Sequence, residues 1–254
     1  MGGNLIDKVV VVTGGGRGYG EHMAQAIAKE GARVVVTGRT QSECEKSAND
    51  INRDGGTALA IVADVASTEE VRAMAKATLD EFGHIDVLIN NAAYPGPVGT
   101  TAEVDEAEWR YTLDVNLTGS FRCVQAVLPG MMAQESGHII NLSSGTARLG
   151  YRHIRSLGYT TSKYAIEGFS SGLAVELEPY GIRVNAFTPG LAETRFLSNM
   201  PDGYLTGLKC QTPDHVGPPI VHLLGSEICS GNAFEALPWL DANGLLERYS
   251  YVHA

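Results

Sequence analysis

Residues 9 to 20 read Val-Val-Val-Val-Thr-Gly-Gly-Gly-Arg-Gly-Tyr-Gly, a short β-branched run that passes directly into five glycines within seven positions. A simple turn needs one or two glycines. Five of them between a strand and a helix describe a phosphate cradle, in which the backbone approaches an anion and the helix N-terminus supplies unpaired N–H groups. The rest of the chain repeats the same alternation. Further strand candidates lie at Arg33 to Thr37, Ala58 to Val62, Val87 to Asn90, His138 to Leu142 and Arg183 to Phe187, with a weaker one near Ala233 to Leu237. Between them run stretches of helical period at Glu21 to Glu30, Ser67 to Phe82, Glu106 to Gln134 and Tyr159 to Glu178, the third bending near Gly119. Ser67-Thr-Glu-Glu70 offers a capping box, Gly31 and Gly83 act as left-handed stops, and Pro179 closes the last helix. Strands alternating with helices predict an α/β Rossmann fold: a doubly wound parallel sheet of about seven strands with helices on both faces.

At 254 residues, and with no linker, repeat or low-complexity tract, the whole of 1–254 is expected to form a single domain. A formal charge of −10 argues against nucleic-acid and anionic-membrane partners. No signal peptide and no run of membrane-spanning length are visible, which predicts a cytoplasmic protein. The four cysteines, Cys44, Cys123, Cys210 and Cys229, are widely spaced and read as free thiols. The seven histidines show no ligand spacing, so no metal is expected.

Two further patterns carry chemistry. The second strand ends at Thr37-Gly38-Arg39, the position where a dinucleotide fold meets the adenosine ribose. A carboxylate there would suit the 2′-hydroxyl of NAD. This chain has none, and Arg39 together with Arg17 of the glycine loop would place two cations at a 2′-phosphate, which favours NADP(H). The second pattern is Tyr159-Thr-Thr-Ser-Lys163, a phenol and an ammonium four positions apart on one helix face. An ammonium close to a phenol favours the phenolate, so Lys163 is expected to lower the pKa of Tyr159.

With these residues in view the chain resembles the short-chain dehydrogenases/reductases of the compact, roughly 250-residue kind, over nearly its whole length. The glycine pattern T-G-x-x-x-G-x-G falls on Thr13, Gly14, Gly18 and Gly20, with Tyr19 inside it. Asp64-Val65 matches the family's adenine contact. Asn90-Asn91-Ala92-Ala93 matches its N-N-A-G motif with Ala93 in place of glycine. Asn116, Leu142-Ser-Ser144, Tyr159 with Lys163, and Pro189-Gly190 with Thr194 match the remaining motifs in order. The resemblance implies that Tyr159 is the general acid or base, that Lys163 lowers its pKa and binds the nicotinamide ribose, and that Ser144 rather than Ser143 holds the substrate oxygen. It implies that Asn116 holds a water in a proton relay. The activity implied is hydride transfer between NADPH and a small or medium carbonyl or alcohol. The same fold could instead act on an imine or activated C=C bond, isomerise a substrate, or bind NADP(H) as a non-catalytic regulator. A homodimer or homotetramer is implied, with the Trp109 and Tyr159 helices as contact surfaces.

Three regions depart from the pattern. The connection from Ser144 to Tyr159 carries Arg148, Arg152, His153 and Arg155 and would line the substrate entrance. The segment 191–213 is a short lid, with Phe196, Leu197, Met200 and Tyr204 as apolar lining, facing Tyr94, Pro95 and Pro97. It leaves an open pocket or packs on the core. In the tail, 238–254, Pro238 is expected at a strand end, and the residues after it cover a neighbouring subunit or pack on their own domain.

Overall fold

The computed structural model describes residues 5–149, 156–199, 209–228 and 230–252. Arg152, His153, Arg155, Met200, Tyr204 and Cys229 lie outside them. Strands β1 (Val9–Thr13), β2 (Arg33–Gly38), β3 (Thr57–Val62), β4 (Val87–Asn90), β5 (Gly137–Leu142) and β6 (Ile182–Thr188) match the expected segments to within one residue at each end. They pair in parallel with a short strand near the C-terminus, Ala233–Glu235, in a seven-stranded sheet. That strand lies beside β6 at one edge, and from the other edge the order runs β3-β2-β1-β4-β5-β6.

Successive side chains of a strand point to opposite faces, which explains why the valine run is apolar throughout. Val10 and Val12 enter one core with Met23, Ile27, Ile220 and Leu223. Val11 enters the other with Val71, Met74, Val124, Met131 and Leu177. Helices α1 (Gly18–Lys29) and α2 (Gln41–Arg53) cover the first face, and α3 (Thr68–Phe82) covers the second. After β4, α4 (Glu106–Leu113) continues through a π-helical turn, Asp114–Thr118, into α5 (Gly119–Ala133). The expected bend near Gly119 is therefore an inserted π turn. At its end a Cβ on Gly119 would lie 2.8 Å from a Val65 methyl, so the helix approaches the β3–α3 loop closely.

A short α6 (Thr146–Leu149) precedes α7 (Leu157–Leu177), whose buried positions include Tyr159, Lys163, Ile166, Ser170, Leu173 and Leu177. The two leading polar residues thus open a stripe that continues as core. Ser67 caps α3 as expected, accepting from the Glu70 N–H. The return half of the box is absent: Glu70 Oε2 accepts from Asp64 N–H at 2.9 Å and so steadies the β3–α3 loop.

The last third corrects one expectation. After β6 come β7 (Lys209–Gln211), α8 (Gly217–Gly225) and β8, the sheet-edge strand Ala233–Glu235. Pro218 and Pro219 punctuate the sequence, yet they sit in the first turn of α8, where proline costs no hydrogen bond. Pro238 is not at a strand end. Strand β8 stops at Glu235 and Pro238 lies in the first turn of α9 (Ala236–Ala242), for the same reason. Beyond α9, α10 (Leu246–Tyr249) leads into β9 (Ser250–Val252), which pairs antiparallel with β7. The tail therefore packs on its own chain and fastens the far end of the 191–213 segment. Among the described residues no helix is long and apolar enough to cross a membrane, and no group of three or more His, Cys, Asp or Glu is placed to hold a metal.

Candidate active site

The strand order reverses at β1 and β4, and crevices at such switch points open at the carboxyl ends of the strands. A cleft of about 400 Å³ lies there. It runs from Arg17, Gly38 and Arg39 past Asp64 and Val65, then Asn91, Ala92 and Ala93, to Ser144, Tyr159 and Lys163. Gly14, Gly18, Tyr19, Pro189, Gly190 and Thr194 complete its floor and rim. Two of the expected residues, Gly20 and Asn116, are not on its wall.

The glycine loop is bolted in place by Thr13. Its Oγ1 accepts from the N–H groups of Asn91 and Ala92, both at 3.0 Å, and donates to the Ile89 carbonyl. Asn91 returns two bonds, from Nδ2 to the carbonyls of Thr13 and Gly14. Gly20 belongs to this joint rather than to the cleft, because a Cβ there would collide with the Gly14 carbonyl and lie 2.6 Å from Asn91 Nδ2. Gly18, at φ +55°, is the cradle position: a Cβ there would meet nothing nearer than Thr194 at 3.8 Å. Helix α1 starts at this point, and no side chain caps it. The open N-terminus and the space before it fit a dinucleotide pyrophosphate.

Across the cleft the Pro189-Gly190 turn is held from two sides. Tyr19 donates its hydroxyl to the Gly190 carbonyl at 3.1 Å. Buried His215 places Nε2 2.5 Å from the Pro189 carbonyl and Nδ1 2.8 Å from that of Thr212, and burial lowers its pKa.

At the Tyr159 end, the adjacent serines are separated by direction. Ser143 donates to Glu167 Oε1 on α7 at 2.8 Å. Ser144 turns to the cleft and hydrogen-bonds with Tyr159. Lys163 donates from Nζ to the Leu142 carbonyl at 2.6 Å and lies 5.5 Å from the centre of the Tyr159 ring. Phe196 covers that ring at a centroid distance of 5.2 Å.

The expected pKa relation is reversed. Burial raises the Tyr159 phenol to about 12, with only partial relief from the Ser144 hydrogen bond. Burial also brings the Lys163 ammonium down to about 8. Both shifts have one cause, since removal from water disfavours each charged form. Near neutrality this leaves a protonated phenol beside a cation close to its own titration point.

Asn116 lies buried behind the cleft wall. Its Nδ2 donates to the Tyr94 carbonyl at 2.9 Å and to Ser162 Oγ at 3.0 Å, while Oδ1 accepts from Tyr94 N–H at 2.7 Å. Both amide N–H groups are spent on the Tyr94 loop and α7. Ser162 in turn donates to the Tyr159 carbonyl at 2.7 Å. The side chain therefore positions the cleft wall, and the π turn points it inward.

At the opposite end the arginines do have carboxylate partners, contrary to the sequence reading. Arg17 contacts Glu43 at 3.3 Å, Arg39 lies 4.0 Å from Asp64, and Arg39 donates to the Tyr111 hydroxyl at 2.6 Å. Glu43 is not legible in the sequence because α2, which carries it, has no clear helical period. Its buried positions include Cys44, Ser47 and Ala48, too small and too polar to mark a helical period.

The family model for short chain dehydrogenases matches residues 8–204. The chain belongs to the short-chain dehydrogenase/reductase family, a class of oxidoreductases that use nicotinamide cofactors. A 3-oxoacyl-[acyl-carrier-protein] reductase of Vibrio cholerae is 34% identical over 92% of each chain. Among solved structures, a short-chain type dehydrogenase/reductase from Mycobacterium marinum superposes with a TM-score of 0.86 at 29% identity, covering 91% of this chain and 94% of that one. The L-sorbose reductase of Gluconobacter frateurii, solved with NADPH and L-sorbose, gives a TM-score of 0.83 at 28% identity over 92% and 97% of the two chains.

Proposed function

We propose that the chain is an NADPH-dependent reductase of small or medium carbonyl compounds, reversible as an alcohol dehydrogenase. The observation that carries the proposal is the buried Tyr159 hydroxyl beside Ser144 and Lys163, at one end of a cleft whose other end presents Arg17 and Arg39. A bound nicotinamide supplies the hydride. Ser144 holds the carbonyl oxygen and stabilises the charge that grows on it. Tyr159, protonated at neutral pH, delivers the proton to that oxygen. Lys163 takes the ribose hydroxyls and, with a pKa near 8, restores the proton to the phenol. Arg17 and Arg39 take the 2′-phosphate, Asp64 and Val65 the adenine, and Gly14, Gly18 and the start of α1 the pyrophosphate. Asn91, Ala92, Ala93, Pro189, Gly190 and Thr194 frame the nicotinamide half.

The names of the V. cholerae and G. frateurii proteins support carbonyl reduction and make 3-oxoacyl thioesters and ketoses the first compounds to test. A panel of such carbonyls, followed at the nicotinamide absorbance with NADPH and NADH in parallel, tests the reading. Turnover with NADPH preferred is expected; tight NADPH binding without turnover across the panel would overturn it. A homodimer or homotetramer through the α4–α5 and α7 faces belongs to the same proposal. Phe121, Tyr164 and Val175 stand 48%, 50% and 74% exposed there. Sedimentation velocity of wild type and Val175→Glu tests it, and a monomeric wild type would refute it.

A further inference from the structure

Glu43 is a carboxylate in the wall of a cleft end that, on the proposed function, must accept a dianion. It cannot easily move away. It lies in the first turn of α2, and the glycine loop rests on that turn so closely that a Cβ on Gly16 would stand 3.0 Å from the Cys44 nitrogen and the Glu43 carbonyl carbon. One of its oxygens, Oε1, is shared. Arg17 Nη1 approaches it at 3.3 Å from the glycine loop, and Arg195 Nη1 at 2.9 Å from the 191–213 segment. The better contact belongs to Arg195, which is on no motif and on the far rim of the cleft.

The charge balance gives this bridge a role. Around this end of the cleft three guanidinium groups, Arg17, Arg39 and Arg195, face two carboxylates, Glu43 and Asp64, a surplus of one positive charge. Without Arg195 the surplus is zero, and Glu43 turns its full charge on Arg17, the group that a 2′-phosphate must recruit. We propose that Arg195 neutralises Glu43 and thereby sets the preference for a ribose 2′-phosphate over a 2′-hydroxyl. It is a specificity residue that acts through Glu43, and the inference rests on the NADP(H) reading.

Calorimetric titration with adenosine 2′,5′-bisphosphate and with 5′-AMP tests it without any turnover. Wild type should bind the bisphosphate more tightly, and a wild type that does not discriminate would sink the NADP(H) reading itself. Arg195→Ala should lower the ratio of the two affinities by about two- to fivefold, the range of an exposed ion pair, and Glu43→Gln should raise it by a similar factor. In the Glu43→Gln background, Arg195→Ala should change little. An unchanged ratio in Arg195→Ala, or an undiminished loss in the Glu43→Gln background, would overturn the inference while leaving the cofactor reading intact.

Discussion

At the arginine end of the cleft the side chains of Arg17, Arg39 and Arg195 are 50%, 55% and 70% exposed, whereas Tyr159 and Lys163 at the other end keep 6% and 4% of their surface. The same kind of interaction, a cation near an oxygen, therefore works in two media. Where water reaches the pair, each contact is worth about 1 kcal/mol or less and several must add up to select a ligand. Where water is excluded, burial, partly offset at Tyr159 by the Ser144 hydrogen bond, brings the two titration points of Tyr159 and Lys163 to about 12 and about 8. One end selects by counting charges, and the other tunes single groups by dielectric.

That contrast can be broken most severely at the buried end. Tyr159→Phe should lower the reduction rate by about 10³-fold or more, the scale of a lost general acid; stopped-flow or steady-state turnover with NADPH close to wild type would refute its role. Ser144→Ala should cost about 10²-fold by removing the donor to the developing oxyanion. Ser143→Ala, whose hydroxyl faces Glu167, is the matched control and should retain most of the rate. If the two serine variants behave alike, the directional assignment fails.

The dielectric effect has its own signature in pH. Lys163 titrates well below an ordinary ammonium, so it is charged below about pH 8 and neutral above. Carbonyl reduction should therefore fall as pH rises through 8, and Lys163→Met should lower the rate and erase that inflection. A pH–rate profile with an inflection near 10 instead would place Lys163 in water and remove the contrast. The smallest effect belongs to the exposed end. Arg39→Asp should weaken NADPH binding about tenfold, with NADH binding little changed, and the loss should shrink at high salt because solvent-exposed charges are screened. Fluorescence titration of both cofactors measures it; equal weakening of both would mean that Arg39 serves the fold.

Most of this architecture was legible in the sequence because it is written in local chemistry. Valine runs buried on both faces, Gly83 at φ +81° and Ser67 at a helix start each announce their element without reference to the rest of the chain. What escaped the reading depends on residues brought together from afar. Helix α2 buries mainly small and polar side chains, so Glu43 could not be placed beside Arg17, and still less beside Arg195, 152 positions later. Pro238 misleads for a different reason: proline marks a strand end or a helix start equally well, and only the packing decides. In the sequence the choice of Ser144 over Ser143 rests on family pattern alone; that the Ser143 hydroxyl donates to Glu167 is a contact between segments that no local pattern shows. The expected lowering of the Tyr159 pKa gives way to a rise because adjacency is visible in a sequence and burial is not.

The π turn at Asp114–Thr118 has a consequence for how this rod of helix can change. Each residue advances an α-helix by about 100°, and a π turn takes up one extra residue within its wider i→i+5 turn, so the helix before and after it keeps its phase. Here α4 meets α7 and carries Tyr111 to Arg39, while α5 buries Val124, Val127 and Met131 against the sheet. Deleting one residue from 114–118 would close it to a regular α-turn and leave the two halves in phase. The turn thus stores one spare residue, and Asn116 sits within it, bonded to the Tyr94 loop and to Ser162, while α4 and α5 each keep their own packing face.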